Sequence, residues 1–424
     1  MNLVLLLQAK PFNYWTIMRI LYLILVCMMT IGSAGAADGF LRVEGQNIVK
    51  PNGEKLYIQG TNLGNWLNPE GYMFGMKTTN SPRFIDEMLC ELVGPTNAAH
   101  FWKEFKENYI TQDDIRFIAE SGANTVRLPF HYKLFTKEDY MGLDDNSEEG
   151  FRLIDRAIGW CKEAGLYVIL DMHDCPGGQT GDNIDDSYGY PWLITEREEQ
   201  ERFIDIWRTI ARHYKDETAV LGYGLMNESL ATYFNDEYDE LTEKLGALYT
   251  ETVKAVRQED KNHIIILGGA NWNTRFEMLD MSADEQLMIE CHRYGGEPVR
   301  EAIQNFIEPQ QKTNRPMYMG EIGHGTMEWQ TKFVQVMKDC NIGYTFWPYK
   351  KLDNSCMVAI KRPEGWERIV EFAEGTRNSY AAIREAREKL PQQEAMKILR
   401  TYLDNILFDK CMVQEDYVTS MGMK

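Results

Sequence analysis

The stretch Ala219-Val-Leu-Gly-Tyr-Gly-Leu-Met-Asn-Glu228 decides how this chain is read. It is a near-continuous apolar run, the pattern of a strand buried on both faces, and it ends on a carboxylate. A second stretch, Pro316-Met-Tyr-Met-Gly-Glu321, has the same form and is followed by Ile322-Gly323. A carboxylate that closes a buried strand lies at the rim of its sheet. That rim is where a parallel barrel carries its chemistry.

Outward from these two runs, strand signals recur at residues 55–62, 123–129, 166–173, 263–269, 287–292 and 343–347. Helix signals lie between them. Thr111-Gln-Asp-Asp114 and Thr195-Glu-Arg-Glu198 have capping-box spacing ahead of amphipathic runs, and Pro82, Pro298 and Pro363 suit first helical turns. Eight strands alternating with helices predict an α/β chain folded as a (β/α)8 TIM barrel. No Gly-x-Gly-x-x-Gly follows the first strand, which weighs against an open doubly wound sheet. An N-terminal β-hairpin is expected over residues 40–57, with its turn at Pro51-Asn52-Gly53. Residues 67–110 and 174–194 are longer than connections need, and both would rise over the substrate face. Beyond residue 375 the chain reads as charged helices packed on the outside of the barrel.

The 424 residues suit one large barrel, and 44% hydrophobic residues supply its core. A net charge of −19 argues against nucleic acid or an anionic membrane as a partner. Residues 20–31 form an apolar run with Arg19 before it and Ser33-Ala34-Gly35-Ala36 after it. The run is too short for a membrane span and reads as a signal peptide ending at Ala36, with Met18 a more usual start. The expected organisation is therefore a leader over 1–36, a catalytic domain over 37–375 and a helical extension over 376–424. Such a protein would be exported, to the periplasm, the cell surface or the medium. The cysteines past the leader form no C-x-x-C pair or Cys/His grouping that resembles a zinc site, so no metal is expected. A monomer is expected, and the chemistry below needs no cofactor.

The strand ends, in order, are Asn62, Arg127, His173, Asn227-Glu228, Trp272, His292 with Tyr294, Glu321 and Trp347. A barrel selected for stability alone would not need Arg, His and Glu around one rim. Two carboxylates facing one cleft are the minimum for cutting a glycosidic bond.

In this ordered set the sequence resembles the family 5 glycoside hydrolases. The matching pieces are Val126-Arg127-Leu-Pro129, Leu170-Asp-Met-His173, Met226-Asn-Glu228, His292-Arg-Tyr294, Gly320-Glu321 and Phe346-Trp347. The resemblance implies a retaining mechanism, with Glu228 as acid/base and Glu321 as nucleophile. Carboxyls only ~5 Å apart must differ in protonation, with one ionised while the other holds its proton. Arg127 and Tyr294 would stabilise a charged Glu321. Asn227 would bond the sugar 2-hydroxyl, His173 and His292 would line the cleavage subsite, and Trp347 would form its floor.

Gly60-Thr-Asn-Leu-Gly-Asn-Trp66-Leu-Asn-Pro-Glu70 and Asp171-Met-His-Asp-Cys-Pro-Gly-Gly-Gln179-Thr-Gly-Asp-Asn183 are similar to the exo-β-1,3-glucanase and β-glucosidase branch. Ser229, Arg293 and Asp174-Cys175 depart from it. Trp66, Tyr72, Phe74, Tyr188, Tyr190, Trp192, Tyr233 and Phe234 are candidate platforms for sugar rings. The expected partner is thus a β-glucan or oligosaccharide. An endo-β-1,4-glucanase or mannanase of the same family, or a glycan-binding barrel without catalysis, remains open. His131, His324, Glu70 and Glu290 read as structural, and Asp182, Asp185 and Asp186 as a solvated loop.

Overall fold

A computed structural model describes residues 39–142 and 148–424, so the leader expected over 1–36, with its start at Met18, lies outside the described residues. Eight parallel strands close into a barrel: β4 (Gln59–Asn62), β5 (Thr125–His131), β6 (Tyr167–Asp174), β7 (Val220–Gly224), β8 (Ile264–Gly268), β9 (Leu287–Tyr294), β10 (Met317–Gly323) and β11 (Gly343–Phe346). Each pairs in parallel with its neighbour in the chain, and β11 returns to β4. Every expected barrel strand is present, with ends that move by a few residues. Close approach explains one glycine: a Cβ on Gly60 would sit 1.8 Å from the Thr125 carbonyl oxygen.

The N-terminal segment differs from the expected hairpin. It is a three-stranded antiparallel sheet of β1 (Arg42–Glu44), β2 (Asn47–Val49) and β3 (Lys55–Leu56). Gly45, at φ +58, allows a first tight turn that the pattern did not reveal. Gly53, at φ +87, sits in the second, as expected. Lys55 and Leu56 therefore pair with β2, and the barrel strand begins only at Gln59. Leu41, Val43, Ile48 and Leu56 of this sheet pack with Ile169, Leu221, Ile264, Ile266 and Met288 in one apolar cluster. The sheet thus caps the end of the barrel that carries no chemistry.

Helices surround the barrel. Helix Gln112–Glu120 opens on the expected capping box, with Thr111 and Asp114 bonding reciprocally. Helix Pro82–Val93 starts on its proline with Ser81 as cap. The box expected at Thr195 does not form. A short helix, Trp192–Thr195, ends there, and its Trp192 carbonyl takes the Glu196 N–H ahead of helix Arg197–Tyr214. Pro298 and Pro363 lie before their helical turns, which begin at Arg300 and Trp366.

After β11 come β12 (Lys350–Leu352), β13 (Val358–Ile360) and helices Trp366–Glu374, Tyr380–Lys389 and Gln392–Asn405. The chain then returns: β14 (Met412–Val413) pairs antiparallel with β13, and helix Glu415–Ser420 packs on helix Met327–Asp339. Tyr344 of β11 donates its hydroxyl to the Met421 carbonyl at 2.7 Å, and Gln59 of β4 donates to Gly422. The last residues therefore pack on the outside of the closed barrel, beside β11. Among the described residues no helix is long and apolar enough to cross a membrane.

Candidate active site

The carboxyl ends of the strands gather the expected polar residues, because inward positions recur every second residue along each strand. Arg127 on β5 is fully buried and is the hub. One guanidinium nitrogen donates to Glu321 Oε1 at 2.8 Å and to Asn62 at 3.0 Å. The other donates to Asn227 at 2.7 Å and pairs with Asp171 and Glu290 at 3.0 and 2.9 Å. Tyr294 donates its hydroxyl to Glu321 Oε2 at 2.7 Å.

Burial alone would push the Glu321 carboxyl up. The charges of His292 and Arg127, with the Tyr294 bond, outweigh it and hold Glu321 well below the usual carboxylate range. The converse holds for His292. Burial would discharge it, but Glu321, Glu228 and Glu290 raise it to about 10.

Glu228 lies four residues past the end of β7, at φ +39. That left-handed conformation is strained for a residue with a Cβ and needs support from its surroundings. The loop after β6 supplies it. Gln179 donates to the carbonyls of Asn227 and His173, Thr180 donates its hydroxyl to the Glu228 carbonyl, and Leu230 and Ala231 donate back to Gln179 and Thr180. Ser229 uses its hydroxyl on the Gly269 carbonyl. Glu228 Oε1 meets His292 Nδ1 at 2.7 Å. One carboxylate oxygen each of Glu228 and Glu321 and a ring nitrogen of His292 lie within 4.8 Å of one another.

These three could in principle hold a metal ion. Their donor atoms are already used otherwise: both His292 ring nitrogens face carboxylates, and both Glu321 oxygens accept hydrogen bonds. An imidazolium of that kind has no lone pair to offer.

The comparisons with known proteins concern the chain as a whole. The family model described as cellulase (glycosyl hydrolase family 5) matches residues 87–353. The chain belongs to glycosyl hydrolase family 5.

Relatives of the chain differ in the activities their names state. A beta-xylosidase of Phanerodontia chrysosporium is 33% identical over 238 residues, covering 56% of this chain and 48% of that protein. Endoglucanase C of Acetivibrio thermocellus is 26% identical, covering 63% of this chain and 92% of that protein. A probable glucan 1,3-beta-glucosidase A of Aspergillus clavatus is 30% identical, covering 47% and 46%. The chain thus spans about half the length of the first and third of these. Among solved structures, an endogalactoceramidase superposes with a TM-score of 0.55 at 19% identity, covering 74% of this chain and 75% of that one. A rutinosidase from Aspergillus niger does so at 0.54 and 15%, covering 70% and 91%. These two likenesses concern the fold alone.

Within this family 5 site, several expectations need correction. Trp66 is fully buried and donates its indole N–H to the Lys106 carbonyl, so no ring face is left for a sugar. Phe74 is buried as well. Trp347 is only 3% exposed, with the His173 ring parallel to it at 5.1 Å. It therefore offers a margin rather than an open floor. Tyr188, Trp192, Tyr233 and Tyr72 are exposed. Trp272 sits past β8 in a left-handed turn and lines an open cavity of about 600 Å3 beside Glu228, His292 and Tyr294.

The loop at 182–186 is built rather than solvated. Asp185 accepts from the Thr180, Gly181 and Ser187 amides, and Asp186 from the Arg83 amide. Sequence reasoning also set Glu290 aside and gave Asp171 no role. Each stands two residues before an expected site histidine on the same strand, so strand period was the signal that could have found them.

Proposed function

We propose that the protein is a retaining glycosidase that cleaves β-glucosidic bonds in glucans or oligosaccharides. One observation carries this reading: carboxylate oxygens of Glu228 and Glu321 lie within 4.8 Å of one another. Retaining enzymes hold their carboxyls ~5–5.5 Å apart, whereas inverting ones leave ~6.5–9.5 Å for a water.

In the first step a Glu321 oxygen bonds the anomeric carbon as the glycosidic C–O bond breaks, and the Glu228 proton goes to the leaving oxygen. Glu228 Oε1 accepts from His292, so Oε2 is the oxygen that faces the leaving group. In the second step Glu228 takes a proton from water, the water oxygen bonds the anomeric carbon, and Glu321 leaves as a carboxylate. Arg127 and Tyr294 stabilise that leaving carboxylate. Asn227 is fixed through Oδ1 to Arg127 and through Nδ2 to His173, which leaves its second amide hydrogen for the sugar 2-hydroxyl.

We favour exo action on β-1,3-linked glucan, on the strength of the loop motifs around Glu70 and Gln179. Endo action is the second reading. It is favoured by the open cavity beside Glu228 and by the breadth of the match to Endoglucanase C. Digestion of laminarin, cellooligosaccharides and mannan separates them: single glucose units support exo cleavage, and a ladder of internal fragments refutes it. Glu321→Gln should abolish turnover with the fold intact by circular dichroism. A native protein that binds a β-glycan but turns over none would refute the enzymatic reading. We also read the protein as exported, which N-terminal sequencing of the mature chain checks: a start just past residue 36 is expected.

A further inference from the structure

Glu290 lies beneath the catalytic pair and is only 2% exposed. Its Oε1 meets His292 Nε2 at 2.9 Å and the Arg127 guanidinium at 2.9 Å. Among the described residues it is the carboxylate within hydrogen-bonding distance of both cations of the site. Room for it is built in on the next strand. A Cβ on Gly320 would sit 2.0 Å from that same Oε1, so the residue before Glu321 must lack a side chain.

Glu290 differs from the other two carboxylates that face His292 in one respect: the reaction does not consume its charge. Glu321 becomes an ester and loses its charge in the first step. Glu228 gives up a proton and then regains one. Glu290 stays a carboxylate throughout, held ionised by Arg127 and His292 against its own burial.

We propose that Glu290 is a positioning residue for this reaction: by accepting from His292 Nε2–H it keeps the opposite N–H aimed at Glu228 through both steps. As Glu228 loses its proton to the leaving oxygen, that N–H stabilises the new carboxylate. The buried imidazolium then needs a lasting counter-charge, because Glu321 has just been neutralised. What Glu228 does in this account rests on the glycosidase reading above. Other groups around the ring are Tyr318 from β10, beside Glu290; Arg127 from β5, reached through Glu290; Asp171 and His173 from β6; and Tyr294 from the ring's own strand. Among the described residues, the groups that face the His292 nitrogens themselves are Glu290, Glu228 and Glu321.

The test is the titration of the His292 ring by NMR, in the native protein and in two variants. In Glu290→Gln the ring should lose its proton at least about one pH unit lower than in the native protein. The alkaline limb of kcat/KM on an aryl β-glucoside should move down with it, with kcat falling more than KM rises. Glu290→Asp, which keeps the charge, should restore part of that limb. In Glu321→Gln, which imitates the neutralised nucleophile, the ring should remain protonated above neutral pH. An unchanged His292 titration in Glu290→Gln, or activity lost equally at every pH, overturns the proposal. If Glu290→Gln does not fold, the Glu321→Gln arm decides: a ring that discharges near its ordinary value of about 6.5 there overturns it too. Native protein that cleaves no β-glucoside refutes the glycosidase reading instead, and the ring titration remains readable.

Discussion

At the scale of residues, the site is a charge balance in which each member sets its neighbour. Replacing Glu228 by Ala should cost about 10²–10⁴-fold in kcat on unactivated glucosides and far less on aryl glucosides with acidic leaving groups, as steady-state rates would reveal. The His292 ring has a second consequence, for stability. Its folded value of about 10 lies above the ordinary 6.5, so the fold favours the charged form. That contribution is whole below pH about 6.5 and is lost as pH rises through about 10. Glu321 is depressed, so its contribution is present above the ordinary carboxylate range and is lost in acid. Urea unfolding from pH 6 to 10 should therefore show a steeper loss of stability in the native protein than in His292→Asn. Trp66→Phe should lower stability by about 1–3 kcal/mol through the lost indole bond and volume, and leave KM unchanged. The first-rank residues were legible because polar side chains at the ends of apolar runs are conspicuous. Glu290 and Asp171 sit within the runs, where a carboxylate reads as noise until its cation is known.

At the scale of elements, the loop after β6 acts as a strut for the segment that carries Glu228. Gln179 is its key: Oε1 accepts from the Cys175 amide, and Nε2 donates to two carbonyls, with the whole side chain buried. Gln179→Ala leaves those groups unpaired and should cost about 2–4 kcal/mol by denaturant unfolding. It should lower kcat as well, because Glu228 holds a strained φ only while its carbonyl neighbours are fixed. The barrel strands were readable from their apolar runs, since a strand covered on both faces has no other way to look. The strut was not. Its bonds run from side chain to backbone across 48 residues, and no local pattern records such a pairing. The sheet of β1, β2 and β3 was half readable. Its Pro-Asn-Gly turn is overt, while the turn at Gly45 leaves only a lone glycine as a sign.

At the scale of the whole molecule, the chain covers the outside of its barrel with residues 411–424. Tyr417, Val418, Met421 and Met423 are buried, Tyr344 and Gln59 bond the terminal carbonyls, and β14 completes a sheet with β13. Deleting residues 411–424 should lower Tm by several degrees or more and expose the apolar flanks of β11 and helix Met327–Asp339 to a hydrophobic dye. A charged helical stretch reads as surface, so the return of the chain through β14 to the last helix, which is only six residues long, was hidden by its shortness. The return of the tail also bears on how the protein is made. A ribosome releases the chain from its amino end onward, so the residues that cover β11 and helix Met327–Asp339 emerge after the strand and helix they cover. The eight strands can therefore close, β11 on β4, before that cover arrives. A tag fused at Lys424 would begin where buried packing ends and would test how far that cover tolerates a load.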